Sequence, residues 1–282
     1  MKPFTGAPDL SAPLPRVRIE PGGGAVEWLE IWHFRDLFVI LAQRDLKLRY
    51  RQTALGIVWV ILQPLVASFI FAVIFGLLAG LPSDGTPYLL FVFAAMLPWN
   101  LFAGGVQRAG NSLISDARLI TKVYFPRAII PMASTAAVLL DFAVAGVVML
   151  FLMFLLQAPF AWTILTIPLL LLITLAVTVG MSLLFSALNV YYRDFAYALP
   201  FLLQAWMYAS PVVYSSSLIP EKWQLLYGLN PLVGIINGFR WALLGGALPA
   251  ASIVEAAVVA SAMLFVGASV FQRVERSFAD VV

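Results

Sequence analysis

The chain has 282 residues, 62% of them hydrophobic and only 11% charged, with a formal net charge of +3 and a mean hydropathy of +0.95. A water-soluble domain needs far more charge to cover its surface, so the composition excludes a soluble enzyme and indicates a multi-pass, all-α membrane protein. With no cysteine and one histidine, His33, disulfides, thiolate sites and multi-histidine metal sites are excluded too.

Residues 1–24, "MKPFTGAPDLSAPLPRVRIEPGGG", hold five prolines before Gly22 and no apolar run of the kind a secretory signal carries. They read as a flexible, extended arm. Residues 25–50 mix Trp28, Ile31, Trp32, Leu37, Ile40 and Leu41 with Glu27, Glu30, Arg35, Asp36 and Arg44. That pattern predicts one or two amphipathic helices lying at the cytoplasmic interface, with Trp28 and Trp32 on one face. Arg44, Lys47, Arg49 and Arg51 then crowd together, and no further charge follows until Asp84. Such a cluster is expected to pin the inner end of the first span against anionic lipid and to form a cytoplasmic interface or gate. Topology and anchoring alone explain most of these charges.

The apolar body, 51–272, holds six predicted spans: 57–79, 87–107, 128–156, 161–190, 196–214 and 250–271. The third and fourth exceed the bilayer requirement, which predicts tilt or cytoplasmic extension. Pro64, Pro98, Pro168 and Pro200 fall inside spans, where packed neighbours can satisfy the freed carbonyls. Residues 223–248 are apolar but interrupted, and predict a re-entrant pair of short helices broken at Asn230-Pro231 and at Gly238. A tail, 273–282, follows the last span. Of the 17 Lys and Arg residues, all but Lys222 and Arg240 then fall on one side. The positive-inside rule makes that side cytoplasmic, with both termini there. A seventh span over 223–248 would instead leave Arg273 and Arg276 outside and Arg240 within the bilayer.

Asp141 is the one acid deep in a predicted span, and an intramembrane carboxylate is a functional candidate. No titratable partner is visible in neighbouring spans, so a hydrogen bond to Ser or Thr on another helix is expected. Tyr88, Trp162 and Tyr214 at span ends read as interfacial aromatic belts. Aromatics also run the length of the first span (Trp59, Phe69, Phe71, Phe75) and the fifth (Tyr197, Phe201, Trp206, Tyr208). Lipid-facing packing accounts for some of these.

"RDLKLRYRQTALGIVWVILQPL" at 44–65 resembles the start of the permease subunit of ATP-binding-cassette exporters of the polysaccharide and polyol-phosphate type. Further matching pieces follow in the family's order: "LPWNLF" at 97–102, "NSLISDARLITKVYFPR" at 111–127, "NVYYRDF" at 189–195 and "ASPVVYSSSLIP…LYGLNPL" at 209–232. They span most of residues 25–250.

The resemblance implies a half-transporter of the O-antigen, capsule or teichoic acid type, in which two copies of a six-helix subunit join two separate cytoplasmic ATPase subunits. The cargo would be an undecaprenyl-linked polysaccharide leaving the cytoplasm across the inner membrane. No G-x-x-x-x-G-K-[ST] phosphate loop occurs here, so no cofactor is expected on this chain, with ATP and magnesium on the partner ATPase. The family pattern makes 111–127 the helix that docks on that ATPase, with Asp116, Arg118, Leu119, Lys122 and Tyr124 at the contact, Asn111 or Ser112 capping the helix and Pro126 marking its exit. An ordinary basic loop would carry the same charges. Arg193 and Asp194 are a second candidate contact, or merely a solvated helix end. The first and fifth helices line the channel in the family, which points to Trp59, Phe69, Tyr197, Phe201, Trp206 and Tyr208. A drug or small-lipid exporter on the same architecture is the alternative. A membrane glycosyltransferase would need a catalytic acidic pair, whereas Asp84, Glu221 and Glu255 are widely spaced. No nucleic-acid partner is indicated.

Overall fold

The computed structural model describes residues 28–51, 57–192, 194–275 and 278. The N-terminal arm, Arg193 and Arg276 lie outside the described residues. Every regular element among the described residues is helical.

Two helices, α1 (Trp28–His33) and α2 (Arg35–Arg51), open the fold. Backbone bonds from Phe34 to Glu30 and from Phe38 to Phe34 carry the chain almost continuously between them. Trp28 begins α1 and Arg51 ends α2. The first span is α3 (Ile57–Phe71), extended by a π-helical turn at Ala72–Leu78. Pro64 sits inside α3, where its missing N–H removes one helical hydrogen bond.

The central element is α4 (Tyr88–Ser115). Its most apolar window is 78% buried within the protein, against 17–33% in the other four candidate spans. It outruns the predicted 87–107 because Val106, Ala109, Gly110, Ser112 and Leu113 keep one face packed, so its polar tail is the exposed stripe of a continuing helix. Asn111 and Ser112 therefore lie within α4 rather than capping the next helix. A single turn and a half, α5 (Ala117–Lys122), follows at the end of α4.

The third span is bent rather than simply long. It comprises α6 (Ile129–Ala136) and α7 (Leu139–Leu155). Between them Val138 N–H bonds the Thr135 carbonyl three residues back, at 3.1 Å, which tightens the turn. A 3₁₀ turn at Trp162–Thr166 leads into α8 (Ile167–Tyr191). Pro168 falls in the first turn of α8, where no helical hydrogen bond is lost. The last span, α12 (Ala250–Glu275), packs chiefly on α8. The two cross at Gly180 and Gly267: a Cβ on Gly267 would sit 2.0 Å from the Gly180 carbonyl oxygen. Only glycine permits that approach.

Among the described residues, five helices are long and apolar enough to cross a membrane: Val58–Leu78, Tyr88–Ser115, Ile129–Leu155, Trp162–Tyr191 and Ala250–Glu275. The predicted fifth span, 196–214, is shorter than expected. Its helix, α9 (Phe195–Tyr208), has 14 residues and reaches about 21 Å against the roughly 30 Å of a hydrocarbon core. The chain leaves it through a 3₁₀ turn at Ser216–Leu218 and continues as α10 (Glu221–Gly228) and α11 (Pro231–Leu244). Neither is long enough to span, and they break at Leu229-Asn230 with Pro231 opening α11, as the sequence predicts. The predicted break at Gly238 does not form. Instead α11 continues, and Gly238 admits Leu170 and Ile253, whose side chains a Cβ would meet at 2.7 and 3.4 Å.

Candidate functional site

Opposite ends of α4 organise two polar centres. At one end the carboxylate of Asp116, the residue joining α4 to α5, takes both arms of the Arg44 guanidinium. Nη1 donates to Oδ1 at 2.9 Å and Nη2 to Oδ2 at 2.6 Å. The same guanidinium donates to Asp45 Oδ1 through Nε and Nη2, at 3.1 and 2.9 Å, while Ser134 on α6 donates to Asp45 Oδ2 at 2.8 Å. The fork of arginine suits such bidentate contacts. The Asp116 hydrogen bond, acting against partial burial, holds the Arg44 guanidinium above its ordinary pKa.

Nearby, Arg49 pairs with Asp141 on α7. This corrects the expected Ser or Thr partner: the partner is a cation from the interface helix, not a group on a spanning helix. Two of the four clustered cations thus tie α2 to the spanning helices and Lys47 is exposed, while the side chain of Arg51 lies outside the described residues. A third tie joins the segment before α6 to the end of α12. The Arg127 backbone N–H donates to Glu275 Oε1 at 2.7 Å, and its guanidinium donates to the Glu275 carbonyl. Beneath them Leu41, Leu113, Ile120, Phe125, Ile129 and Phe271 form one apolar cluster, so α2 and α5 rest on the same support.

Within the predicted docking segment, Ile120 and Phe125 are buried and anchor α5. Arg118, Lys122, Val123 and Tyr124 are exposed, and Leu119 is half-buried. Asp116 faces inward to Arg44, so it ties the segment to α2 while the basic and apolar side chains face out. Asp194 is exposed at the start of α9. Trp32 is exposed too, with the Arg35 guanidinium 5.6 Å from its ring centre.

Of the predicted channel residues, Trp59 and Phe69 on α3 and Tyr197, Phe201 and Tyr208 on α9 are all more than half exposed. Positions 197, 201 and 208 share a helix face. Trp206 does not join them. It packs edge-on against Phe102 at 5.1 Å, and its indole N–H donates to Asn230 Oδ1 at 3.0 Å.

The second polar centre lies at the start of α4. Arg240, on α11, is buried with its guanidinium carbon 3.4 Å from the Phe91 ring centre. It donates to the carbonyls of Phe91, Val212 and Tyr214 at 3.2, 3.0 and 3.3 Å. Around it the Tyr88 hydroxyl donates to the Val213 carbonyl, Ser215 donates to Asp84 Oδ2 at 2.6 Å, and Tyr227 donates to the Tyr214 hydroxyl at 2.9 Å. Tyr88 and Tyr214 therefore bond protein, whereas Trp162 is exposed as a belt residue should be. Asn230 caps α11 through its Oδ1 and donates to the Ala209 carbonyl and Ser210 Oγ at 3.2 and 2.9 Å. Sequence reading missed Asp45, Ser134, Asn230 and Glu275 as site residues. Arg240 carried a usable signal, a lone cation in an otherwise apolar segment.

No group of three or more His, Cys, Asp and Glu side chains suited to a metal occurs among the described residues. The geometry is that of a bundle of apolar helices with exposed aromatic faces and an exposed basic and apolar segment after α4.

Comparison with known proteins gives the same direction. Residues 36–244 match the family described as "ABC-2 type transporter". An O-antigen export system permease protein, RfbA, from Klebsiella pneumoniae is 30% identical over 247 residues, covering 87% of this chain and 95% of that protein. A protein of the same name from Myxococcus xanthus is 32% identical over 256 residues, covering 89% and 97%. A transporter permease rather than an enzyme is what these matches describe, and the chain belongs to the ABC-2 type transporter family.

Proposed function

We propose that this chain is the membrane subunit of an ATP-driven exporter that moves a lipid-linked, O-antigen-like polysaccharide out of the cytoplasm across the inner membrane. The observation that carries this reading is the similarity to O-antigen export permeases over nearly the full length of both chains. Two copies act together with two cytoplasmic ATPase subunits that hold ATP and magnesium. Both termini, α1, α2 and α5 lie on the cytoplasmic side, as fifteen of the 17 Lys and Arg residues favour. The exposed side chains Arg118, Lys122, Val123 and Tyr124 meet the ATPase. The Arg44–Asp116 pair passes movement of α5 to the interface helix α2. The aromatic faces of α3 and α9 border the path of the sugar chain, on which rings stack with small individual energies and so guide without trapping.

The test is complementation. A strain lacking this gene should lose its surface polysaccharide and recover it with the wild-type chain. Reversing Arg118 and Lys122 to Glu should leave the protein inserted but unable to stimulate the ATPase. Full surface polysaccharide in the deletion strain would end the reading. The chain has no cysteine, so single cysteines at Leu229 and Ser277 report topology on a clean background. They should label from opposite sides of the membrane.

A further inference from the structure

The helix α5 is too short to hold its own pose. It has six residues, no side chain caps its start, and the chain leaves it in an extended conformation at Val123. Its placement therefore comes from what grips the segment on either side and beneath. In front, Asp116 sits in the Arg44 fork. Beneath, Ile120 and Phe125 are buried in a cluster with Phe271 and Phe278, whose rings meet edge to face at 5.4 Å. Behind, the grip is Glu275.

The Glu275 contact is built as a helix cap. Pro126 has no N–H, and the bonds that open α6 run from Ile129 and Ile130 to the carbonyls of Pro126 and Arg127, at 3.0 and 3.2 Å. The Arg127 N–H lies ahead of them, and Glu275 Oε1 accepts it at 2.7 Å. A side chain 148 residues away thus does the work of an N-cap. The Arg127 guanidinium donates in turn to the main-chain carbonyl of Glu275, in the last turn of α12. A carboxylate at the start of α6 and a cation at the end of α12 are the signs that the two helix dipoles favour.

The helix that carries Glu275 is itself pinned. Gly267 lies on the Gly180 carbonyl of α8, and Gly234 of α11 lies on the Ser252 carbonyl of α12, where a Cβ would come within 1.9 Å. Main chains in contact at both points leave α12 no room to slide, so it is the fixed member of the clamp and the segment after α4 is the placed one.

We propose that Glu275 is a positioning residue for the docking segment. By capping the Arg127 N–H it fixes the extended stretch 123–127, which keeps Phe125 in the cluster and presents Val123 and Tyr124 outward. This rests on the proposed function for the ATPase as the partner presented to. The cap itself rests on the geometry alone.

A cap and an ion pair respond differently to substitution. Backbone hydrogen exchange over residues 117–128 is followed by mass spectrometry on the full chain in detergent, without ATPase. Glu275→Ala should speed exchange of the residue 127 amide about tenfold. Glu275→Gln keeps an oxygen acceptor and Arg127→Gln keeps the amide, so both should stay within about threefold of wild type. An ion pair would make both as fast as Glu275→Ala. With the ATPase co-expressed, Glu275→Ala should lower ATPase stimulation several-fold, and Glu275→Gln should restore it.

Equal exchange in wild type and Glu275→Ala overturns the cap, as does Glu275→Gln exchanging as fast as Glu275→Ala. If Glu275→Ala fails to insert, Glu275→Gln and Arg127→Gln still decide between cap and ion pair. Faster exchange with unchanged stimulation, where Arg118→Glu with Lys122→Glu abolishes it, overturns the positioning role. That double variant also separates this from the proposed function. Unchanged stimulation there with the exchange series intact sinks only the ATPase contact, and lost stimulation there with a flat exchange series sinks only the cap.

Discussion

The two ends of α4 solve the same problem with different chemistry. Near Ser115, arginines from α2 meet carboxylates: Arg44 with Asp116 and Asp45, and Arg49 with Asp141. Near Tyr88, the buried Arg240 meets backbone carbonyls, an aromatic face and a shell of tyrosine hydroxyls. A side-chain ion pair can exchange partners with an incoming anion or a moving helix. A guanidinium held by three main-chain carbonyls cannot let go without unfolding the segments that present them. The first end is therefore held by contacts that can be exchanged one at a time. The second is built to hold α11 and the 212–214 segment fixed against α4.

That contrast should appear most strongly in stability. Replacing Arg240 by Ala strands three carbonyls in a buried setting and opens the space over Phe91, at a cost of about 3 kcal/mol. Thermal unfolding in detergent should register it as the largest single loss, and Arg240→Lys should not rescue it, because one ammonium cannot reproduce the fork. A stable Arg240→Ala protein would remove the distinction between the two ends.

Breaking the other end should cost less stability and more function. Arg44 is about a third exposed, and the pairing energy there is about 1 kcal/mol after solvent screening. Asp116→Asn should barely move the unfolding temperature, yet it should uncouple ATPase stimulation from export. A double-mutant cycle of Asp116→Asn with Arg44→Gln should return a coupling energy of that size, and a value of zero would mean the two side chains merely lie close.

Salt sharpens the comparison further. Raising ionic strength from 0.1 M to 1 M shortens the screening length from about 10 Å to 3 Å. ATPase stimulation should fall with salt in the wild type and be flatter in the Arg44→Gln, Asp116→Asn protein. The unfolding difference between wild type and Arg240→Ala should stay constant, because that site is closed to solvent ions.

The smallest effect is expected from the aromatic face of α9. Each stacking contact is worth only about 0.5–1.5 kcal/mol, so single substitutions should change little. Removing Phe201 and Tyr208 together should lower surface polysaccharide several-fold at unchanged membrane insertion. Wild-type export from that double variant would assign the face to lipid or to helix packing.

Much of the fold was legible before any coordinates. The apolar runs placed five long helices to within a few residues at most of their ends, since span length is dictated by the bilayer and the signal is local. The Asn230-Pro231 break was legible because proline and an asparagine cap act within one turn. Glycine was a poorer guide: Gly238 reads as a breaker, yet tertiary packing of Leu170 and Ile253 against it keeps α11 whole. The α9 helix was overestimated because hydropathy continues through 209–214 while the backbone there turns away to serve Arg240 and Asn230.

By itself, the sequence determined that this chain lives in a membrane, where along it the cations cluster, and that the segment after α4 is at once basic and apolar. Those properties follow from composition, period and short-range spacing. Only the tertiary structure decided what the cations do. Arg44 and Asp116 are 72 residues apart, and Arg240 and Phe91 are 149 apart. No local pattern reports such partners, because the helices carrying them meet only once α2 has packed on α6 and α11 on α4. Asp141 shows the limit most clearly: a lone acid by its neighbours in sequence, it becomes half of an ion pair once α2 packs on α6 and brings Arg49 beside it.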